Sequence, residues 1–239
     1  MALLSTLVKV IAEVEDMDET YVSGVARYLR EASLVSQAGR GRGAAHMSIA
    51  DAANLLIGVN GSSTAKASPE TVCVFRALAC SNDLRVTGQD LFAAALWPGC
   101  LFGDAVESLI SAAIPDEHGH VRLSWDLLLE SDVLAGNKTA DEMRSSLEQA
   151  LTNFHAIIWS KITFNRPRLS ASIEIRRTGA VGPHDPPHPP ALDDSELQRR
   201  QIVLARFQQR NASRSRGDRR DSTDITLKTI LAMGSALAS

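Results

Sequence analysis

Arginine is the side chain whose spacing in this sequence most clearly suggests a chemistry. Arg40 and Arg42 alternate with glycines in the segment GRGRG (39–43). A guanidinium group binds phosphate through paired hydrogen bonds, and glycine gives the backbone unusual conformational freedom. We therefore predict a flexible basic loop.

A second arginine-rich segment covers residues 195–220, with eight arginines against two acidic residues. Its arginines are Arg199, Arg200, Arg206, Arg210, Arg214, Arg216, Arg219 and Arg220. Such a segment adds salt-sensitive affinity for nucleic acid, or it pairs with an acidic protein partner. The other interpretation is a solvated arm that keeps the chain soluble.

Enzymatic motifs are lacking. The sequence contains no phosphate-binding loop, dinucleotide fingerprint, zinc-protease helix or nucleophile elbow. His118 and His120 follow Asp116 and Glu117 and form the best metal-ligand cluster, but they have no third, distant ligand, so an acidic loop is the preferred interpretation. We expect a non-enzymatic protein with no cofactor and no bound metal.

The three cysteines, at positions 73, 80 and 100, lack the paired spacing of a zinc site or a disulfide framework. They are predicted to be small buried side chains. No apolar stretch is long enough to cross a membrane, and no secretory leader is found. The expected compartment is the cytoplasm.

The elements that must position the first arginine pair are two helices. Apolar residues at spacings of three and four predict a helix over 3–14, and Asp18 is placed to cap a second helix over about 19–35. On the second helix, Ser23, Arg27 and Arg30 face away from the apolar stripe.

The stretch VSGVARYLREASLV (22–35) resembles the recognition helix of winged helix-turn-helix regulators, although those proteins typically have glycine where this chain has Ser33. The resemblance implies that Ser23, Arg27 and Arg30 contact base edges or phosphates. It also implies that the GRGRG loop acts as the wing, with Arg40 and Arg42 reaching the minor groove or the DNA backbone. It also implies a homodimer, because such modules commonly bind paired half-sites. The alternative is an ordinary helical bundle, which the net charge of about −2 over residues 1–60 favours.

Two further segments, RGRGAAHM and DAANLLIGVNG, resemble uncharacterised proteins encoded near prophages and mobile elements of alphaproteobacteria. That resemblance covers most of the chain. It implies a setting in phage biology and brings no activity with it.

The rest of the chain is first helical. Ser48 and Asp51 form a capping box for a third helix that ends near 58–61. Ser68 as N-cap and Pro69 begin a fourth helix that carries Ala79. Further helices are predicted from residue 87 and over about 102–113.

From residue 115 the pattern changes. A strand is predicted at 120–125 and a helix from 139, and the runs 156–164 and 169–177 flank a turn and predict a β-hairpin. Residues 178–193 contain five prolines and are predicted to be a linker. A strand over 201–207 and a helix over 226–237 follow.

The fold class is therefore α+β, with a mostly helical N-terminal domain and a small α+β region. The predicted division has a winged-helix-like module (1–60), a helical extension (61–114), an α+β region (115–177), a proline-rich linker (178–194) and a basic C-terminal tail with a short helix (195–239). We expect a DNA-binding transcription regulator of a phage or mobile element. The alternative is a non-enzymatic interaction or assembly protein that uses its arginine-rich arm as an electrostatic contact.

Overall fold

The structure, a computed structural model, is an α+β fold in which helices pack on one face of an antiparallel sheet. It describes residues 2–37, 46–81, 85–86, 99–115, 117, 121, 158–167, 169–177, 201–208 and 221–239. The helices in those ranges are α1 (Leu4–Val14), α2 (Glu19–Glu31), α3 (Ile49–Gly61), α4 (Ser68–Arg76), α5 (Phe102–Ala112) and α6 (Leu227–Ala238). The strands are β1 (Ala79–Cys80), β2 (Arg85–Val86), β3 (Ile158–Arg166), β4 (Ser170–Arg177), β5 (Gln201–Gln208) and β6 (Asp221–Thr226).

Helices α2 and α3 begin where their capping residues predict. The Asp18 carboxylate accepts a hydrogen bond from the Thr20 amide at 2.7 Å, and Ser48 and Asp51 form the complete capping box. Helix α2 ends at Glu31, four residues before the predicted end. The backbone of Ser33 has a φ of 58°, a left-handed conformation that ends a helix.

The fourth helix differs from its prediction at both ends. A 3₁₀ turn, Ala65–Ala67, runs directly into α4, so Ser68 lies inside the helical stretch and its hydroxyl donates to the carbonyl of Ala65. The predicted N-cap role of Ser68 is therefore wrong. Ala79 belongs to β1 instead of the helix, because the chain leaves α4 after Arg76.

The sheet has the strand order β1-β5-β4-β3-β6, with β2 also paired to β5, and every pairing is antiparallel. The predicted hairpin is confirmed as β3 and β4, and the predicted strand at 201–207 is confirmed as β5. The sequence does not predict β6, because its residues are mostly polar and only Ile225 is fully buried. An edge strand with one exposed face carries little apolar signal.

The core lies between the helices and one face of the sheet. The register places Ile225, Ile162, Ile173 and Ala205 side by side across four strands, and all four are buried. Four phenylalanine rings join the two layers, with centroids 5.1–6.1 Å apart in the tilted and edge-to-face contacts that aromatic rings prefer. They are Phe75, Phe102, Phe164 and Phe207.

The C-terminal part of the chain contributes to this same core. The predicted last helix is confirmed as α6. It packs against α1, and its Ile230 and Met233 are buried. Buried cysteines are confirmed at positions 80 and 100, whereas Cys73 is exposed on α4, contrary to prediction. No helix in the described ranges has the length and apolar character needed to cross a membrane.

Several predicted elements lie outside the described residues. They are the GRGRG loop, the helix from residue 87, most of the strand at 120–125, the helix from 139, the proline-rich linker and the arginine-rich stretch 209–220.

Candidate nucleic-acid interface

The exposed face of α2 carries three of the predicted site residues. Ser23, Arg27 and Arg30 follow one another at spacings of four and three, which places them on one side of a helix. All three are exposed, whereas Val22, Val25 and Leu29 on the opposite side are buried. The amphipathic pattern of α2 thus turns the polar side chains outward as one row.

This row forms one wall of a shallow groove between α1 and α2. The groove has a volume of about 250 Å³. Besides Ser23, Arg27 and Arg30, its lining comprises Leu4, Ser5 and Val8 from α1 and Glu19 and Ala26 from α2. The first two helices therefore present a continuous surface on which hydroxyl, guanidinium and apolar groups alternate.

Arg27 is held only loosely on this surface. Its guanidinium lies 3.6 Å from the Glu31 carboxylate one turn away, and it stacks over the Tyr28 ring at 4.8 Å from the centroid. Both partners of the ion pair are more than half exposed, and such pairs contribute at most about 1 kcal/mol. Arg27 can therefore exchange Glu31 for an external anion at little cost.

The connection between α1 and α2 is a short turn over residues 15–18. Asp16 adopts a left-handed backbone with a φ of 51°, and Asp18 caps α2. Left-handed residues are common where a chain reverses between two helices, and helix-turn-helix motifs use turns of three or four residues. The observed turn has that length.

Asp51 fixes both ends of the segment that contains the GRGRG loop. Its Oδ1 accepts from the Ser36 amide at 2.8 Å, and its Oδ2 accepts from the Ser48 amide at 2.8 Å. Burial alone would raise the pKa of Asp51, but the hydrogen bonds from Ser48 and Ser36 outweigh it and lower the pKa below its usual value. A charged carboxylate therefore closes the base of the loop.

Two further contacts bring that base to the groove. The Met47 amide donates to the Ala2 carbonyl at 2.9 Å, just before α1, and the Gln37 side chain donates to the carbonyl of Arg30. Gln37, before the loop, therefore lies at the C-terminal end of the α2 row, and Met47, after it, lies beside the start of α1. Arg40 and Arg42 themselves lie outside the described residues.

A polar network supports the chain where α2 ends. The Asn54 amide donates to the Leu34 carbonyl at 2.6 Å, and Arg76 donates to the Asn54 side-chain oxygen at 2.9 Å. Arg76 also pairs with Glu107 of α5 at 2.5 Å. Residues from α3, α4 and α5 thus determine where the loop begins.

The predicted second arginine cluster is only partly visible. Arg206 is exposed on β5, inside the sheet instead of on a tail, and it does not line the groove. The other seven arginines between 199 and 220 lie outside the described residues, as do His118 and His120. Among the residues that the structure describes, no group of three or more His, Cys, Asp or Glu side chains is placed to hold a metal ion.

Sequence reasoning missed three parts of the interface. The sequence predicts α1 as a helix with one buried stripe, so it does not indicate that α1 lines the groove. No sequence pattern points to Gln37. Asp51 is predicted to cap α3, but its hydrogen bond with Ser36 before the loop is not predicted. The capping box was the available clue, because its Ser48 lies only five residues after Gly43 of the glycine-rich segment. A carboxylate has free acceptor sites beyond one cap.

No known protein family, curated protein or solved structure matches this chain.

Proposed function

We propose that this protein is a DNA-binding transcription regulator that reads DNA with the exposed row of α2. The observation that carries the proposal is the placement of Ser23, Arg27 and Arg30 on one exposed helix face, with the base of the glycine-arginine loop at the end of that face. A helix presented in this way fits the major groove, where arginine pairs with guanine through two hydrogen bonds.

The backbone around the loop supports a wing. The Ala2 carbonyl, which precedes α1, accepts the hydrogen bond from the Met47 amide that follows the loop. A wing needs such an anchor beside the recognition helix, because it must reach the DNA backbone or minor groove next to the site that the helix reads. Arg40 and Arg42 supply the cations for that contact.

The charge of the surface limits the mode of binding. Glu19 lies in the groove and Glu31 pairs with Arg27, so the α2 row is not a broad basic patch. Affinity therefore depends on a few arginines, and we expect a shallow dependence on salt compared with that of a strongly basic protein. Sequence preference must come from direct contacts between Arg27, Arg30 and base edges.

The remaining parts of the proposal concern assembly and setting. We propose a homodimer, because paired half-sites one helical turn apart double the small contact area of one α2 row. We place the regulator in a phage or mobile element, on the resemblance of RGRGAAHM and DAANLLIGVNG to proteins encoded there.

The test compares single arginine variants on a duplex enriched from a random-sequence pool. Arg27→Ala and Arg30→Ala should each weaken binding by about 1–3 kcal/mol if the side chain reads a base. Lys228→Ala is the matched control, because it removes one exposed cation from α6, outside the groove. Kd is measured by fluorescence anisotropy at several salt concentrations on the enriched and on a scrambled duplex.

The proposal predicts that the two arginine variants lose preference for the enriched duplex while the control keeps it. Equal binding of the native chain to both duplexes, or unchanged preference in both arginine variants, contradicts it. That result would favour the assembly protein, in which the α1–α2 groove contacts another protein.

A further inference from the structure

A second concave site lies on a different part of the molecule from the α1–α2 groove. It is a cavity of about 720 Å³ where the end of α3, the first turns of α4, the β3–β4 turn and the start of β6 meet. It is lined by Gly61, Ser62, Ser63, Thr71, Arg166, Pro167, Leu169 and Asp221. Its volume falls in the range of small-molecule sites, about 300–1,000 Å³.

Two polar groups in the wall of this cavity have no hydrogen-bond partner. Ser62 is 5% exposed and its hydroxyl is buried without a partner. The Nε of Arg166 is also buried without a partner. Folded proteins rarely leave buried polar groups unpaired, because each costs free energy until something bonds it. Two such groups lining one cavity indicate that a polar ligand completes it.

The side chains around the cavity define the chemistry of that ligand. The guanidinium of Arg166 is a fixed cation whose geometry matches a carboxylate. The hydroxyls of Ser62, Ser63 and Thr71 are further donors, and Pro167 and Leu169 add an apolar surface. Asp221, which faces Arg166 in the β3–β6 register, supplies acceptor oxygens. Inorganic phosphate suits this mixture poorly, because it brings no apolar group to Pro167 and Leu169.

We propose that this cavity binds a small organic carboxylate that also carries a hydroxyl or amino group. The ligand carboxylate bonds Arg166 and Ser62, and its hydroxyl or amino group donates to Asp221. The site does not depend on the DNA-binding role proposed for α2, since it shares no lining residue with the α1–α2 groove.

Arg166 also acts electrostatically on Tyr21 of α2. Burial raises the pKa of the Tyr21 phenol, and the positive charge of Arg166 partly offsets that rise. Tyr21 lies on α2 and its hydroxyl donates to the Val59 carbonyl of α3 at 3.4 Å. A carboxylate bound to Arg166 would therefore weaken the effect of that charge on Tyr21.

Calorimetric titration of the full chain with L-malate and L-serine tests the proposal, with succinate and inorganic phosphate as comparison ligands. At least one of the first two should bind one-to-one with a Kd between about 1 µM and 1 mM. Succinate lacks only the malate hydroxyl, so where malate binds, succinate should bind about tenfold more weakly or worse. Phosphate should bind more weakly than either.

Three variants separate a ligand site from a structural role. Arg166→Met should weaken binding at least tenfold, and Lys161→Met, which removes a cation from β3 outside the cavity, should leave it unchanged. Ser62→Ala should weaken binding about threefold or more without lowering the melting temperature of the free protein, because it deletes an unpaired hydroxyl.

The proposal is overturned if neither L-malate nor L-serine shows saturable binding up to about 10 mM. It is equally overturned if Arg166→Met and Ser62→Ala bind as tightly as the native chain, or if phosphate binds best. Should Arg166→Met fail to fold, the affinity and melting temperature of Ser62→Ala decide the question alone.

Discussion

Glu15, at the C-terminal end of α1, is half-buried beside residues of α3 and α6. The Asn60 side chain donates to its carboxylate at 3.4 Å, while the Asn60 Oδ1 is buried without a partner. Burial raises the pKa of Glu15 to about 6, and the hydrogen bonds from Asn60 and Thr229 offset only part of this rise. The folded protein therefore holds a proton on Glu15 more tightly than the unfolded chain does.

The sign of the resulting pH dependence follows from that preference. Because the folded-state pKa lies above the ordinary value of 4.5, the free energy of unfolding falls as the pH rises from about 4.5 to about 6, and it stays lower above that range. A shift of this size corresponds to about 2 kcal/mol, and partial exposure reduces it to about 1–2 kcal/mol.

Glu15→Gln removes this titration and also offers an amide donor to the Asn60 Oδ1. We expect the variant to exceed the native chain by about 1–2 kcal/mol in unfolding free energy at pH 8, and to approach it near pH 4.5. Urea melts at pH 4.5, 6 and 8 measure this difference. Glu13→Gln, an exposed position on the same helix, should change stability by less than about 0.5 kcal/mol. A constant difference between Glu15→Gln and the native chain at all three pH values would contradict the account.

Asp51 combines a capping role with the clamp on the loop ends. Asp51→Asn keeps one acceptor oxygen and turns an amide N–H toward a backbone donor, so it should lower the unfolding free energy by about 1–3 kcal/mol. We also expect weaker DNA binding at temperatures where the variant is fully folded, because the loop base opens. Denaturant melts and anisotropy titrations check both effects. Lost stability with unchanged DNA affinity would show that the loop base plays no part in binding.

At the scale of elements, the helices followed closely from apolar spacing and capping residues. The end of α2 and the start of α4 were not predictable, because the left-handed backbone of Ser33 and the 3₁₀ turn before Ser68 depend on tertiary contacts. The hairpin was predictable from its β-branched residues, whereas β6 was not, since an edge strand needs few apolar side chains. The α2 row was predictable from sequence, but the second cavity was not, because its lining comes from three distant segments of the chain.

The packing around α2 and α6 predicts opposite effects on stability when alanine replaces a glycine inside each helix. A Cβ added at Gly234 of α6 would lie 2.3 Å from the backbone oxygen of Ala113, whereas one at Gly24 of α2 would meet only the Ala65 methyl at 3.4 Å. Gly24→Ala should therefore stabilise the protein by about 0.5–1 kcal/mol, through helix propensity. Gly234→Ala should lower the unfolding free energy by about 1–3 kcal/mol, because the backbone at Ala113 or at α6 must move to make room for the methyl group. Thermal melts measure both effects. If the two substitutions change the melting temperature in the same direction, the packing of α6 on α5 is contradicted.

At the scale of the whole molecule, much of the segment predicted as a basic tail with a short helix (195–239) belongs to the folded core. Residues 201–208 and 221–238 form β5, β6 and α6, and β5 lies between β4 and β1 in the sheet. The arginine count of the segment favoured a tail, although a strand is predicted at 201–207. Among the described side chains of that strand, Ala205 and Phe207 are buried and Arg206 and Gln208 are exposed. Arginine content therefore overstated how much of the segment is free to bind a partner.

We expect a chain that ends at residue 194 to lose cooperative unfolding, because it lacks two strands and the helix that packs on α1. The full chain with Arg210, Arg214, Arg216, Arg219 and Arg220 replaced by Gln should keep a cooperative transition. Circular dichroism melts compare the two. A cooperative transition in the shortened chain would contradict the placement of β5 within the sheet.

The proposed regulator reads a DNA sequence with α2. The most direct test selects duplexes from a random-sequence pool with three full-length proteins: the native chain, the Arg27→Ala/Arg30→Ala double variant and the five-arginine Gln variant. If α2 reads DNA in this way, the native chain and the Gln variant enrich the same motif, and the double variant enriches none. Enrichment of one motif by all three proteins, or by none of them, would contradict it.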